Sequence, residues 1–325
     1  MTPSSSRGRE RAKATLHHLF VAGQRLGVDI LPRHFYSAIP DVHELRRTSL
    51  WRAPRSMVGV DGLDSEQQLV LLRSWLSSAV LDLLDGTDVH AEACRENGAV
   101  GFGPSEASVL FAFVASQRPA KVLQVGAGVS TAVVLAAAAA VGHSVELVCV
   151  DPFPTPYLTR LADEGRIRLD RRPAQEVGLE DLTALADGDL FFVDSTHTVK
   201  PGSEVNRIVF EVLPRLEAGV WVHVHDVWFP YDYARDVLTR GLFFWNESPL
   251  LHAFLIDNAR ISVQLCTSWL HYAEAAALGE VVPGYRADPG EHGLQAGDAP
   301  RGHFPSSAYL RVHPGAPSRR TAAGH

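Results

Sequence analysis

From residue 121 onward, short apolar runs alternate with segments long enough to form helices, and this alternation constrains the fold more than any other feature of the chain. Consecutive strands joined by right-handed helical crossovers are parallel. The predicted strands are residues 121–125, 146–151, 167–170, 190–194, 220–225, 261–266 and 308–312. The last two strands lack a crossover helix, since residues 280–304 between them are rich in Gly and Pro. We therefore predict an α/β fold with seven strands, mostly parallel, and an antiparallel return at the end.

Apolar spacing predicts three helices upstream of the sheet, over residues 14–26, 66–84 and 105–116. Asp64 or Ser65 is expected to cap the second helix and Ser105 the third. Residues 1–13 and the tail 313–325 are expected to be disordered. Residues 14–116 are predicted to form an N-terminal helical region that acts as a lid over the main domain, residues 117–312. The reason is that residues 14–54 are rich in apolar and aromatic side chains but too few for a core of their own.

Composition restricts the classes of function. A net charge of −7 and a pI of about 6.1 argue against nucleic acid as a partner. The longest apolar stretch, residues 131–141, is too short to cross a membrane, and the polar, basic N-terminus does not resemble a secretory signal. The three cysteines are too far apart for a disulfide framework or a thiolate zinc site. We therefore expect a cytoplasmic protein, and a homodimer is left open.

A glycine-containing turn follows the first predicted strand. Gly126 and Gly128 let the backbone pass close to a ligand, and the helix that follows offers free N–H groups. Asp151 ends the next strand, where a carboxylate can accept both hydroxyls of a ribose. A dinucleotide fold needs a third glycine, but Thr131 stands at that position. A nucleoside without a pyrophosphate needs only the first two, so the pattern favours S-adenosylmethionine over NAD.

Polar side chains also follow the fourth and fifth predicted strands. Asp194 ends one of these strands and His197 follows it, whereas His225 ends the other and Asp226 follows it. Ligands of open α/β sheets bind at the carboxyl ends of the strands, so these side chains should converge with Asp151 on one cleft. His223 lies inside the fifth strand and is predicted to be packed or paired within the sheet.

These runs resemble one family over roughly residues 20–312. The resemblance is carried by VDSTH (193–197), GSEVN (202–206), EVLPRLEAGV (211–220) and HVHDVWFP (223–230), with LPRHFYSAIP (31–40), GFG (101–103), WNE (245–247) and SAYLR (307–311) outside them. The chain is similar here to class I S-adenosylmethionine-dependent methyltransferases of the bacterial "methyltransferase domain 24" type. That family implies a Rossmann-like sheet and biosynthetic methyl transfer. The family usually has an acidic residue at the position of Gln124, so the methionine end of the cofactor would be held by other contacts.

The resemblance also implies a role for each residue of the cofactor site. The glycine loop would line the amino-acid end, Asp151 would bind the ribose, and Asp194 would lie close to the sulfonium. Pro152 and Phe153 would flank the adenosine, and Gln175 would approach the adenine. Ser130 and Thr131 directly follow the loop. The complete implied set is Gly126, Ala127, Gly128, Ser130, Thr131, Asp151, Pro152, Phe153, Gln175 and Asp194.

Methyl transfer is a displacement at a sulfonium carbon, so the protein must align the acceptor and remove the proton of an acceptor hydroxyl. His197 is the first candidate for the general base and His225 the second, with Asp194 and Asp226 as their electrostatic setting. The alternative is a divalent metal held by Asp194, His225 and Asp226. Mg²⁺ prefers oxygen ligands, so a histidine in the set counts mildly against it.

Aromatic side chains could form the walls of the acceptor pocket, or they could belong to the core. The candidates for contact with the acceptor are His34, Tyr36, Trp228 and Tyr231.

The leading interpretation is O-methylation of a small molecule, a secondary metabolite or a glycan-type acceptor. Two alternatives stay open: an enzyme that binds S-adenosylmethionine for other chemistry, and a non-catalytic partner protein that keeps the cofactor pocket.

Overall fold

The computed structural model describes residues 3–286 and 305–314, and a seven-stranded sheet is its central layer. The strands are β1 (Lys121–Val125), β2 (Glu146–Val150), β3 (Arg168–Asp170), β4 (Leu190–Val193), β5 (Trp221–Val224), β6 (Ile261–Cys266) and β7 (Ala308–Val312). Their order is β3-β2-β1-β4-β5-β7-β6. The first five strands are parallel, and β7 runs antiparallel to both β5 and β6. The predicted sheet is confirmed, with strand ends that agree to within one residue.

The sheet is buried on both faces. All four residues of β4 are apolar and buried, as expected for a central parallel strand. On one face the core contains an aromatic cluster in which Trp75 contacts Phe113, Trp221 and Tyr309 edge-on, with ring centroids 5.1–5.7 Å apart. On the other face the core is mainly aliphatic and includes Val125, Val193 and other strand residues. A rigid sheet of this kind fixes the positions of its strand ends.

The described residues contain fourteen α-helices. They are α1 (Pro3–Arg25), α2 (Val42–Arg47), α3 (Ser65–Trp75), α4 (Ser78–Leu84), α5 (Val89–Asn97), α6 (Pro104–Gln117), α7 (Val129–Ala140), α8 (Pro156–Asp163), α9 (Leu179–Leu182), α10 (Glu204–Arg207), α11 (Arg235–Thr239), α12 (Glu247–Leu255), α13 (Thr267–Ala273) and α14 (Ala275–Val281). A turn of π-helix, Ile208–Val212, continues α10. None of these helices is long and apolar enough to span a membrane.

The helix predicted over residues 66–84 is two helices, α3 and α4. The backbone leaves the helical region at Leu76 and is extended at Ser77, the residue directly before α4. The single-helix prediction was wrong because apolar residues continue across the break: Leu76, Val80 and Leu84 are all buried. Asp64 caps α3 as predicted, since its carboxylate accepts a hydrogen bond from the Gln67 amide.

The start of α6 also differs from the prediction. Gly103 is the capping residue and Pro104 the first helical residue, a position that suits proline because its missing N–H has no partner there. Ser105 is therefore not the cap but lies inside the helix, almost completely buried.

The chain divides into two compact units, Met1–Arg47 and Thr48–His325. Helices α3–α6 belong to the second unit, with the sheet, so this division differs from the predicted boundary near residue 117. Helix α1 begins inside the segment predicted to be disordered. Most of the predicted disordered tail, residues 315–325, lies outside the described residues. The lid role of the N-terminal region stays a prediction.

Candidate active site

The glycine loop after β1 touches the end of β4. Gly126 has φ of +83°, and a Cβ built on it would lie 1.7 Å from the carbonyl oxygen of Asp194. Its amide donates to the carbonyl of Val150, at the end of β2. The loop is thus held by the ends of both neighbouring strands, and only glycine fits at its first position.

Asp151 holds the same loop from the end of β2. One carboxylate oxygen accepts from the Ala127 amide at 3.2 Å and the other from the Phe153 amide at 2.8 Å. The carboxylate is half-buried, whereas Pro152 and Phe153 are exposed, Phe153 to 89%. Asp151 therefore has oxygen lone pairs left for a ligand, and an exposed aromatic ring lies two residues away.

The loop, Asp151 and Asp194 line one cavity of about 210 Å³. Its other walls come from the connection between α5 and α6, which the prediction did not assign to the cofactor site. The lining residues are Asn97, Val100, Gly101, Phe102, Gly126, Ala127, Gly128, Val129, Ser130, Asp151 and Asp194. Asn97 is buried and accepts a hydrogen bond from the Thr155 hydroxyl, which fixes its amide at the cavity wall.

Gln124 is completely buried and does not line the cavity. Its amide nitrogen donates to the Ser130 hydroxyl at 3.1 Å, and its amide oxygen accepts from the Thr131 hydroxyl at 2.7 Å. The Thr131 hydroxyl in turn accepts from the Gly128 amide. Thr131, predicted to contact the cofactor, is instead turned into the protein, because its side chain caps α7. Gln124 therefore supports the glycine loop through Ser130 and Thr131, without contacting the cavity itself.

Gln175 does not reach this cavity either. Its amide donates to the Gly202 carbonyl at 3.1 Å and to Glu204 at 3.3 Å. Glu204 also accepts from the Thr196 amide and hydroxyl. The predicted adenine contact of Gln175 stays a prediction, and the observed role of its side chain is to brace the loop after β4.

His197 is buried among three carboxylates. Its Nδ1 lies 2.8 Å from Glu247, and its Nε2 lies 3.3 Å from Asp194 and 3.5 Å from Asp226. Burial alone would lower the pKa of His197, but hydrogen bonds to Asp194 and Glu247 and the charge of Asp226 raise it to about 10. The ring therefore carries a proton at neutral pH. The predicted general-base role does not fit this environment, because an imidazolium has no lone pair to accept a proton.

His225 directly follows the neighbouring strand, β5, and also lies close to carboxylates. Its Nδ1 lies 3.5 Å from Glu106 and its Nε2 3.9 Å from Asp226. Burial would lower the pKa of His225, but the carboxylates of Glu106, Asp194 and Asp226 raise it well above its ordinary value. The second candidate base is therefore protonated as well.

His223 is packed inside the sheet, as predicted. Its ring stacks on Phe192 with centroids 4.3 Å apart and meets Tyr309 edge-on. Burial, followed by the charge of His225, lowers the pKa of His223 well below its ordinary value. The ring is therefore neutral and has no part in the cleft.

Asp194 and Asp226 are the members of this cluster that reach solvent, with side chains 29% and 18% exposed. Burial would raise the pKa of Asp194, but the charge of His225 and the hydrogen bond and charge of His197 lower it to about 2. Asp194 also lines the 210 Å³ cavity, whereas Asp226 does not. Both carboxylates contact the same nitrogen of His197, but only Asp194 also reaches the cavity.

Residues 245–247 anchor the loop after β4. The sequence predicted no site role for them beyond their part in the family resemblance. The amides of Asn246 and Glu247 both donate to the His197 carbonyl, and the Asn246 side chain accepts from the Val199 amide. Trp245 places its ring edge-on against His197, 4.9 Å between centroids. His197 has φ of +54°, a conformation that these contacts stabilise.

The predicted acceptor-contacting aromatics are dispersed. Trp228 is 5% exposed and belongs to the core, which contradicts a pocket-wall role for its ring. Tyr231 is half-buried and packs against Tyr272. His34 and Tyr36 lie in the N-terminal unit, where residues 29–42 enclose a groove of about 480 Å³. Their contact with an acceptor stays a prediction.

No group of three or more His, Cys, Asp or Glu in residues 3–286 and 305–314 is arranged to hold a metal ion. The His197 Nε2 lies between Asp194 and Asp226, 3.3 and 3.5 Å from their oxygens. The imidazolium thus supplies the positive charge that a divalent metal would bring between these carboxylates.

Folding stability is expected to depend on the charge of His197. Its pKa is 6.5 in an ordinary setting and about 10 in the folded protein, so its stabilising effect is complete below pH 6.5 and is lost as the pH rises through 10. His197→Gln should cost about 3–5 kcal/mol at pH 6 and clearly less at pH 10. Thermal unfolding of both proteins across this range measures the difference, and a difference that does not change with pH would contradict the assignment.

The chain matches one family model. Residues 123–227 match a family described as a methyltransferase domain. This range includes the glycine loop and the ends of β2, β4 and β5, but not Glu106, Glu247 or the residues that precede β7.

One relative is an uncharacterised protein of Archaeoglobus fulgidus, 28% identical over 187 residues, which span 54% of this chain and 80% of the relative. A methyltransferase of Podospora anserina, solved with S-adenosylhomocysteine bound, is 15% identical, with 88% of this chain and 99% of that chain covered and a TM-score of 0.39. A putative methyltransferase from Thermobifida fusca is 13% identical, with coverage of 79% and 96% and a TM-score of 0.41. Both TM-scores are below 0.5, and the fold of this chain is defined by its own strand order, β3-β2-β1-β4-β5-β7-β6.

Proposed function

We propose that this chain, whose residues 123–227 match a methyltransferase-domain family, transfers a methyl group from S-adenosylmethionine to the hydroxyl oxygen of a small molecule. A secondary metabolite or a glycan-type compound is the proposed acceptor. The observation that carries the proposal is the meeting of the glycine loop, Asp151 and Asp194 around one cavity at the carboxyl ends of β1, β2 and β4. This edge is where open α/β sheets bind nucleosides.

The residues present fit such a cofactor. The loop must lack a side chain at Gly126, and the carboxylate of Asp151 keeps acceptor capacity for two ribose hydroxyls beyond its two amide contacts. Asp194 presents a negative charge at the cavity wall, which suits a sulfonium cation. When bound, S-adenosylmethionine supplies a methyl group that is already activated by the positive sulfur.

Asp226 is the residue that we propose to receive the acceptor's proton. In this transfer the methyl carbon would leave the sulfonium sulfur, giving S-adenosylhomocysteine, and would form the new bond to the acceptor oxygen. The hydroxyl O–H bond breaks at the same time, and the proton passes to a carboxylate oxygen of Asp226. His197 and His225 cannot take it, because both rings are already protonated. Their positive charges, together with His197's contact at 3.5 Å, hold the Asp226 carboxylate at the edge of the cleft. Asp194 contributes its charge on the cofactor side.

Product analysis separates this function from the two alternatives. Methyl transfer gives one S-adenosylhomocysteine for each methylated product. An enzyme that uses the cofactor for other chemistry breaks this ratio, and a non-catalytic protein binds the cofactor without turnover on any acceptor.

Binding is the first test. Calorimetry should show tight binding of S-adenosylmethionine and S-adenosylhomocysteine and none of NAD. Asp151→Ala should weaken the binding of S-adenosylmethionine and of S-adenosylhomocysteine by at least tenfold. The reason is that each lost hydrogen bond to a charged acceptor is worth about 1.5–3 kcal/mol before compensation. The exposed Asp163→Ala, on α8, is the matched control and should bind as the wild type does. Tight NAD binding with no response to the sulfonium compound would overturn the proposal.

A further inference from the structure

Glu106 is a buried acid that neither the sequence prediction nor the family match assigns. It lies in the first turn of α6 and is 2% exposed. A carboxylate this deeply buried needs hydrogen-bond partners to be tolerated. It accepts from the Ser306 amide at 3.0 Å and from the Ser307 hydroxyl. These partners are some 200 residues away, directly before β7, so Glu106 joins the start of α6 to the last strand.

Ser306 carries this connection to the catalytic cleft. Its amide donates to Glu106, its carbonyl accepts from the Val227 amide at 2.7 Å, and its hydroxyl donates to Asp226 at 3.0 Å. The two backbone bonds hold the Ser306 main chain in place, and the hydroxyl lies within hydrogen-bond distance of one oxygen of Asp226. The hydroxyl therefore sets the position of that oxygen.

The His225 ring provides a second connection between the same two acids. Its Nδ1 faces a Glu106 oxygen at 3.5 Å, and its Nε2 faces the Asp226 oxygen that Ser306 also contacts, at 3.9 Å. The Phe102 ring packs against the His225 ring, with centroids 5.0 Å apart. The charged and titratable groups that face His225 are Glu106 on α6, Asp194 after β4, His197 in the following loop, His223 in β5 and Asp226 directly after His225.

Asp226 needs such support because of its backbone. Its φ is +54°, a left-handed conformation that non-glycine residues rarely adopt. Residues in such conformations persist where the surrounding structure determines them. Here the contacts from Ser306, His225 and His197 stabilise the conformation of Asp226. Ser306 and His225 are in turn held by Glu106.

We propose that Glu106 is a positioning residue, which holds the Ser306 hydroxyl and the His225 ring against the Asp226 carboxylate. This inference rests on the proposed function, in which Asp226 takes the acceptor's proton. It assigns a role in methyl transfer to residues on both sides of the matched range 123–227, on α6 and before β7.

Kinetics on the full chain provide the first test. Ser306→Ala removes only the hydroxyl, and Glu106→Gln removes the charge but keeps an acceptor oxygen. Both should lower kcat by about 10–100-fold, as expected for a displaced catalytic group, with KM for the acceptor and Kd for S-adenosylmethionine within about threefold. Ser307→Ala is the matched control, since it loses the other hydrogen bond of Glu106 and none to Asp226. Its kcat should stay within about threefold of wild type.

A purely structural role for Glu106 predicts a different pattern. In that case all three variants would lose activity in proportion to their loss of Tm, and Ser306→Ala would resemble Ser307→Ala. That result would overturn the proposal.

A second test needs no acceptor. In ring ¹⁵N spectra at pH 8, with the His225 signal assigned from its loss in His225→Gln, the wild-type ring should be doubly protonated. In Glu106→Gln the ring should move toward the neutral pattern, because a carboxylate that raises the pKa of His225 is gone. An unchanged His225 signal would overturn the connection through His225. Absence of S-adenosylhomocysteine formation by wild type would instead overturn the proposed function, and the spectra distinguish the two failures.

Discussion

Replacing Asp226 by Asn is expected to lower kcat by about 10²–10⁴-fold, the usual contribution of a positioned general base. Asn keeps the shape and the oxygen that accepts from Ser306, but it cannot take a proton from the acceptor hydroxyl. The Kd for S-adenosylmethionine should change by less than about threefold, because Asp226 does not line the cofactor cavity. Single-turnover rates and binding calorimetry on the same preparations measure the two effects separately.

Asp232→Asn is the matched control for this prediction. Asp232 lies in the same loop and pairs with Arg55 at 2.6 Å, away from the His197 cluster. Its kcat should stay within a few-fold of wild type. If Asp226→Asn behaved in the same way, Asp226 would not be the proton acceptor.

The pH profile and chelation identify the competing mechanisms. A His197 base would give a rate that rises about tenfold per pH unit up to its pKa of about 10. A metal held by Asp194, His225 and Asp226 would make the rate depend on chelation, with activity restored by Mg²⁺. We expect neither, because His197 is protonated and already lies between two of those carboxylates.

The sheet and the edge that holds the site could be predicted because both depend on local signals. A run such as residues 190–193 is entirely apolar, which is typical of a strand buried on both faces. The polar residue directly after each strand must then lie at the carboxyl edge, and Asp194, His197 and Asp226 are indeed in contact there.

The charge state of the cluster could not be predicted in the same way. It depends on Glu247, 50 residues from His197, and on Glu106, more than 100 residues from His225. Local reasoning paired His197 with Asp194 and Asp226 and assigned it the role of general base. Three carboxylates around one buried ring instead raise the pKa so far that the ring stays protonated. The role of Gln124 could not be predicted either. Its partners Ser130 and Thr131 lie in the first turn of α7, and their contact with Gln124 depends on how the chain turns after β1.

Gly126→Ala is expected to weaken binding of S-adenosylmethionine by more than about 100-fold and to destabilise the protein. The new Cβ would lie 1.7 Å from the Asp194 carbonyl oxygen, whereas Cβ contacts are essentially never shorter than 3.0 Å. The ends of β1 and β4 must therefore separate by about 1 Å or more. A shift of that size moves the loop and Asp194 apart and distorts the cavity that both line. Calorimetry of binding and thermal unfolding measure the two effects.

Gly142→Ala separates backbone strain from this steric clash. Gly142 also has a positive φ, +59°, but a Cβ there meets nothing within 4 Å. The left-handed conformation alone should cost this variant about 1–2 kcal/mol of stability, with cofactor affinity unchanged. Gly128→Ala is intermediate, since its Cβ meets only the Asn97 side chain, at 3.3 Å. If Gly126→Ala bound the cofactor as tightly as Gly142→Ala does, close packing of the glycine loop against Asp194 would not be what shapes the cofactor site.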